Sequence, residues 1–142
     1  AQNQNTMPAI DFFRRKSQNL STVIESIYGL RTNDQADKAL AVASQNFSEL
    51  AGYTLSEILE MKADVYLQEI LKQHFSLSYL EQLVKFLLET SEIFTQLQKN
   101  AEMLNLSEKA LYLIRHLIET DKTYSPERES FVALLEEKIK NK

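Results

Sequence analysis

The sequence predicts an all-α domain of six to seven helices, and three observations carry that expectation. Only two glycines and two prolines occur in 142 residues, so few positions favour a turn and the chain must run in long regular segments. Leu, Glu, Lys, Gln and Ala make up much of it, the side chains that lose least freedom in a helix. Apolar residues recur at three- and four-residue spacing, with none of the alternation a strand would show. Hydrophobic residues at 44% and charged residues at 25% suit one globular domain, long enough to bury roughly two thirds of its unfolded surface.

The domain is expected over residues 9–142, after a polar flexible tail at 1–8. "AQNQNT" carries no pattern; it reads as a native tail, a vector-derived remnant or the leftover of a processed leader. A tail on a cytoplasmic protein is the expectation. From Ile10 to Leu30 the apolar positions, including Phe12, Phe13, Leu20, Val23, Ile24, Ile27 and Leu30, fall within an arc about 160° wide at helical pitch. "RTND" (Arg31 to Asp34) breaks that pattern. A second helix puts Ala36, Ala39, Leu40, Ala43, Phe47, Leu50 and Ala51 on one face, and Gly52 stands where a left-handed cap belongs.

"TLSE" (Thr54 to Glu57) reads as a capping box opening a short helix to about Met61, and a further helix is expected from Ala63 to His74. "SYLE" (Ser78 to Glu81) reads as a second box. The helix it would open, Tyr79 to about Gln98, is the most apolar, and only the line Glu81, Lys85, Glu89, Glu92, Gln96 stays polar. So narrow a polar strip predicts a central helix, with Glu81 and Lys85 paired at i,i+4. "QKN" (Gln98 to Asn100) makes the next turn. Met103, Leu106, Ala110, Leu111, Ile114, Leu117 and Ile118 stripe a helix to about Thr120. "SPERE" (Ser125 to Glu129) opens the last one, with a serine cap, proline in the first turn, acids against the helix dipole, and Lys138 and Lys140 near its end. That helix is expected to cap the domain with its charges in solvent.

"FFRRKS" (Phe12 to Ser17) resembles a membrane hook or a nucleic-acid grip until it is placed on the helix. Arg14 and Arg15 then fall on the polar face, and the places one and two turns on hold Gln18, Ser21, Asn19 and Thr22 rather than bases. Lys16 falls inside the apolar arc, where its stem can pack while the ammonium reaches water. With a net charge of −4, neither nucleic acid nor a membrane is expected as a partner.

Little catalytic chemistry is legible. No cysteine is present, which removes thiolate ligands, thiol nucleophiles and disulfides. Two glycines cannot build a phosphate-cradling loop or a nucleophile elbow. His116 with Glu119 could offer two metal ligands on one helix face, but no third is spaced to join them; His116 and His74 are expected as surface histidines near helix ends. No cofactor and no enzymatic activity are expected. Tyr112 lies opposite its helix's apolar stripe, one turn from His116, and an exposed tyrosine suits a partner contact.

Taken as a hairpin, residues 79–120 resemble a degenerate tetratricopeptide repeat. Leu87, Thr90, Ser91 and Phe94 stand at the large, small and aromatic positions of its first helix, and Met103, Ser107 and Ala110 at those of its second; "KAL" (Lys109 to Leu111) resembles its end. Gln98 replaces the turn glycine, Met103 the first alanine, and the closing proline is absent. The first hairpin matches through Leu20, Val23, Ile24, Ile27, Ala36, Leu40 and Ala43, with residues 55–74 an irregular middle hairpin. The resemblance implies antiparallel helical hairpins stacked in a short tetratricopeptide-like array, used for protein–protein contact.

The expected function is therefore a non-enzymatic interaction or scaffold domain that binds an unknown protein or peptide. Phe12, Leu30, Tyr112 and His116 are its candidate contacts, and a homodimer through the edge of helix 10–30 is expected at Phe12 and Leu30. The alternative is a small-molecule-binding or enzymatic helical bundle with a polar pocket between helices.

Overall fold

The computed structural model describes the backbone of residues 9–141 and the side chains of residues 14–141. The tail expected at 1–8 and the side chains of Phe12 and Phe13 lie outside the described residues. Among the described residues seven helices follow one another: α1 (Ala9–Thr32), α2 (Ala36–Ala51), α3 (Leu55–Glu60), α4 (Ala63–Leu71), α5 (Leu77–Gln96), α6 (Asn100–Thr120) and α7 (Pro126–Lys140). Among the described residues there is no strand.

Several boundaries follow from local chemistry that the sequence already displays. Gly52 takes φ +82°, and its N–H closes α2 on the Ser48 carbonyl at 3.1 Å. A Cβ there would meet only the flexible end of the Gln73 side chain, at 2.2 Å, so it is the left-handed turn that favours glycine. Thr54 Oγ1 accepts the Glu57 N–H at 3.1 Å while Glu57 Oε1 accepts the Thr54 N–H at 2.8 Å, the reciprocal box that starts α3. Ser125 accepts the Arg128 N–H at 3.2 Å ahead of Pro126.

Two helix ends differ from expectation. α4 stops at Leu71, because Gln73 and His74 donate to Ile70 and Leu71 in tight turns and His74 turns left-handed at φ 57°. That reversal sets the Phe75 ring on Tyr79, with centroids 4.6 Å apart. α5 begins two residues earlier than "SYLE" suggests. Ser76 is the cap, its hydroxyl accepting the Tyr79 N–H at 3.1 Å, so Ser78 lies inside the helix and the second box does not form. The earlier start places the Tyr79 hydroxyl on the Leu50 carbonyl at 2.6 Å, tying α5 to the end of α2.

α5 is the central helix. It packs along α6 on one side and against α1 and α2 on the other, burying residues from Leu80 to Phe94 around most of its circumference. Phe86 stacks on Phe47 of α2, centroids 4.2 Å apart and planes inclined by 21°. Each such fully buried ring contributes roughly 2–3 kcal/mol by removal from water. α1 pairs with α2, and α7 packs on α6. α3 and α4 are six and nine residues long, too short to bury one another's apolar stripe. They lie on α6, with α3 also touching α2. The middle hairpin expected over 55–74 is therefore not formed, and α1 and α2 meet α5 directly.

The expected i,i+4 pair on the polar strip of α5 does not form. Glu81 leaves Lys85 for Arg128 of α7, at 3.3 Å, and Lys85 reaches Glu127 at 3.1 Å. Glu89 accepts from Nε and Nη2 of Arg31 in α1, at 3.0 and 3.4 Å, and Glu92 pairs with Lys138. Gln82 bridges two α1 hydroxyls, accepting from Ser17 and donating to Ser21, each at 2.8 Å. Of the charges expected in solvent on α7, Lys138 is thus turned inward, its side chain only 11% exposed. Partial burial strengthens the pairs of Glu81, Glu89 and Glu92, whereas Lys85 and Glu127 remain exposed.

Candidate interaction site

α4 and α6 lie side by side, and their outer faces leave a shallow open groove of about 230 Å³ lined by Leu67, Tyr112, Arg115, His116 and Glu119. The helical pitch explains the set. Tyr112, His116 and Glu119 fall at i, i+4 and i+7 on α6, opposite the buried line Leu106, Ala110, Leu113, Ile114 and Leu117. Leu67 presents its half-buried side chain from α4.

Tyr112 is 43% exposed, among the largest apolar surfaces the described chain offers to solvent. His116 is half-buried, and its Nε2 lies 3.2 Å from the Thr120 hydroxyl one turn on. Arg115 is oriented by Glu136 of α7 at 3.1 Å. One aromatic ring, one aliphatic wall, a guanidinium and a carboxylate therefore share one open surface. Such a surface can hold an amphipathic segment of another chain, with the ring as its apolar anchor.

Of the candidate contacts whose side chains are described, Leu30 lies outside the groove. Tyr112 and His116 come together in the groove. Leu30 is half-buried at the end of α1, packed against the core, and the Phe12 side chain lies outside the described residues. His74 is exposed at the α4–α5 turn. His116 and Glu119 do share a face, yet among the described residues no three His, Asp or Glu side chains converge in a way that could hold a metal ion.

Three polar features escaped the sequence reading. Arg128, its side chain 9% exposed, donates to Glu81 and to Asp121 and pins the start of α7. Asp121 is held below the ordinary carboxylate range by the Thr123 N–H and then by Arg128. Arg128 stands in a segment read only as a helix start, and no local pattern announces its pairing with Glu81, 47 residues away. Lys109 is 2% exposed, its ammonium on the Asn105 side-chain oxygen, and burial pulls it down to about 8, opposed by Glu108. Its position could have been read: three residues after Leu106 and four before Leu113, it is in phase with the buried stripe. Asn105 in turn donates to the Leu59 carbonyl at the end of α3, at 2.8 Å. The third feature is a cavity beside Lys16, described below.

No family model, no curated protein and no solved structure matches the chain. No helix among the described residues is long and apolar enough to cross a membrane.

Proposed function

We propose that this chain is a non-enzymatic protein-interaction domain, built on tetratricopeptide-like hairpins, that seats a protein or peptide partner in the α4/α6 groove. The observation that carries the reading is Tyr112, an exposed ring lining a groove of mixed polarity. The hairpin part of the proposal rests on the burial of the motif positions. Thr90, Ser91, Phe94, Met103, Ser107 and Ala110 are all buried in the α5/α6 pair, as are Leu20, Ile27 and Ala43 in the α1/α2 pair. Gln98, in the place of the repeat's turn glycine, adopts φ 60°, the backbone glycine would favour there. The departure is the short α3–α4 segment, which lies on α6 instead of between the pairs.

A partner segment would lay an apolar residue between Tyr112 and Leu67 and meet Arg115 and Glu119 with charges of its own. A second copy of the chain is one such partner, although Leu30, buried in part against its own core, gives the expected α1 contact little free surface.

A photo-cross-linking amino acid at position 112 tests the reading in cells that make the protein, with position 18 on the exposed face of α1 as control. A discrete adduct at 112, absent at 18 and suppressed by Arg115→Glu, supports the groove; an adduct of twice 16.4 kDa identifies the partner as the chain itself. Equal adduct patterns at the two positions refute it.

A further inference from the structure

We propose that the cavity between α1 and the α4–α5 turn is a binding site for a small aromatic carboxylate. It is separate from the α4/α6 groove and shares no residue with it. The cavity measures about 230 Å³ and is lined by Lys16, Ser17, His74, Phe75, Ser76 and Tyr79.

Size and wall define the body of the ligand. A dry cavity of about 150 Å³ accepts benzene, so the volume here takes one ring and a short acidic arm. Phe75 and Tyr79, inclined by 39° with centroids 4.6 Å apart, form an apolar wall for that ring. Tyr79 is immobilised by its hydroxyl on the Leu50 carbonyl and by its place in α5, so the wall is preformed.

Charge defines the other end. The Lys16 ammonium stands 4.9 Å from the Phe75 centroid and 5.9 Å from that of Tyr79. Among the described residues it forms no ion pair. Its burial lowers its basicity, with Glu49 opposing. Glu49 lines a neighbouring depression with Arg15 and Asn19, which Lys16 divides from the cavity. Around the cavity itself Lys16, His74 and the Ser76 hydroxyl are all donors. Ser76 Oγ accepts the Tyr79 N–H and keeps its own proton to give. Ser17 already donates to Gln82. Ser76 also caps α5, whose twenty-residue helix directs its positive end toward the same place. A cation would meet Lys16 already seated over the rings, and a neutral ligand would leave the ammonium unpaired. A carboxylate answers both.

The left-handed turn at His74 is what assembles the site. Continuing α4 to His74 would carry Phe75 away from Tyr79; the reversal at φ 57° sets both rings and the imidazole on one rim.

The test is titration of the isotope-labelled protein with phenylacetate, phenylacetamide and acetate, read by backbone amide shifts. Saturable shifts with phenylacetate at residues 16–17 and 74–79 are expected. Phenylacetamide and acetate should each bind at least about tenfold more weakly, the worth of one charge-assisted hydrogen bond or of the buried ring. Lys16→Met, checked for unchanged helical signal, should abolish the preference for acid over amide. Should that variant fail to fold, the comparison of the three ligands on the unaltered chain decides alone. Equal affinity for acid and amide, equal affinity for acetate, or no saturable shift at about 10 mM phenylacetate overturns the proposal.

Discussion

Replacing Lys109 with methionine should make the protein more stable at neutral pH, an unusual direction for a core substitution. The side chain is 2% exposed, and its ammonium has a neutral amide oxygen as partner. Burial brings it from the ordinary 10.5 down to about 8. At about 1.4 kcal/mol per pH unit, holding the charged form inside costs about 3 kcal/mol at pH 7. Methionine has a similar length and no charge, but it leaves the Asn105 oxygen without its donor, a loss of about 1 kcal/mol. The net gain at pH 7 is about 2 kcal/mol.

The sign with pH follows from linkage. Between about 8 and 10.5 the unfolded chain binds the lysine proton more tightly than the folded one, so the parent's stability from this group rises with pH. It is fully present above the unfolded value and is lost as pH falls through about 8. The advantage of Lys109→Met should therefore shrink by about 2 kcal/mol between pH ~7 and ~9.5. Urea unfolding of both proteins, followed by helical circular dichroism at the two pH values, measures it. A variant less stable than the parent at pH 7, or a difference indifferent to pH, would refute the argument and mean the ammonium reaches water.

Three further substitutions probe other parts of the fold. Gly29 lies inside α1 with open space where a Cβ would stand; Gly29→Ala should raise stability by about 1 kcal/mol in the same urea assay. The Tyr66 hydroxyl is fully buried and has no partner among the described residues, and burial holds it far above the ordinary phenol range. Tyr66→Phe should stabilise by about 1 kcal/mol, and a loss of stability would reveal a bonded hydroxyl. Arg128→Ala removes the donor shared by Glu81 and Asp121 and should lower the melting temperature by about 5 °C. Because Asp121 is held low, its contribution is present above the unfolded carboxylate value and lost as pH falls through the folded one. The variant should show a shallower acid loss below pH about 4.

Helix content, order and most ends were legible because they are local. Gly52, Thr54–Glu57 and Ser125–Pro126 carry their cap chemistry within four residues, and structure and sequence agree there. The second box failed because "SLSY" (Ser76 to Tyr79) offers two serines, and the choice is made by a contact 29 residues away, Tyr79 on Leu50. The candidate contacts divide the same way. Tyr112 and His116 are one turn apart and so meet, whereas the cavity at Lys16 needs residues from positions 16 and 74–79 brought together by a left-handed turn at a non-glycine residue.

The polar strip of α5 shows most clearly what a helical wheel omits. An exposed Glu81–Lys85 pair would contribute about 0.3–0.5 kcal/mol. In the fold Glu81 instead meets a guanidinium whose side chain is 9% exposed, and Glu89 meets another at 14%. Partial exclusion of water strengthens those attractions, and the two forks also fix orientation, since guanidinium and carboxylate match in one plane. The strip therefore ties α1 and α7 to α5: Arg31 holds α1, while Arg128 and Lys138 fasten both ends of α7. α4, like α3 and α7, packs on α6. The outer faces of α4 and α6 leave the groove beside Tyr112 open.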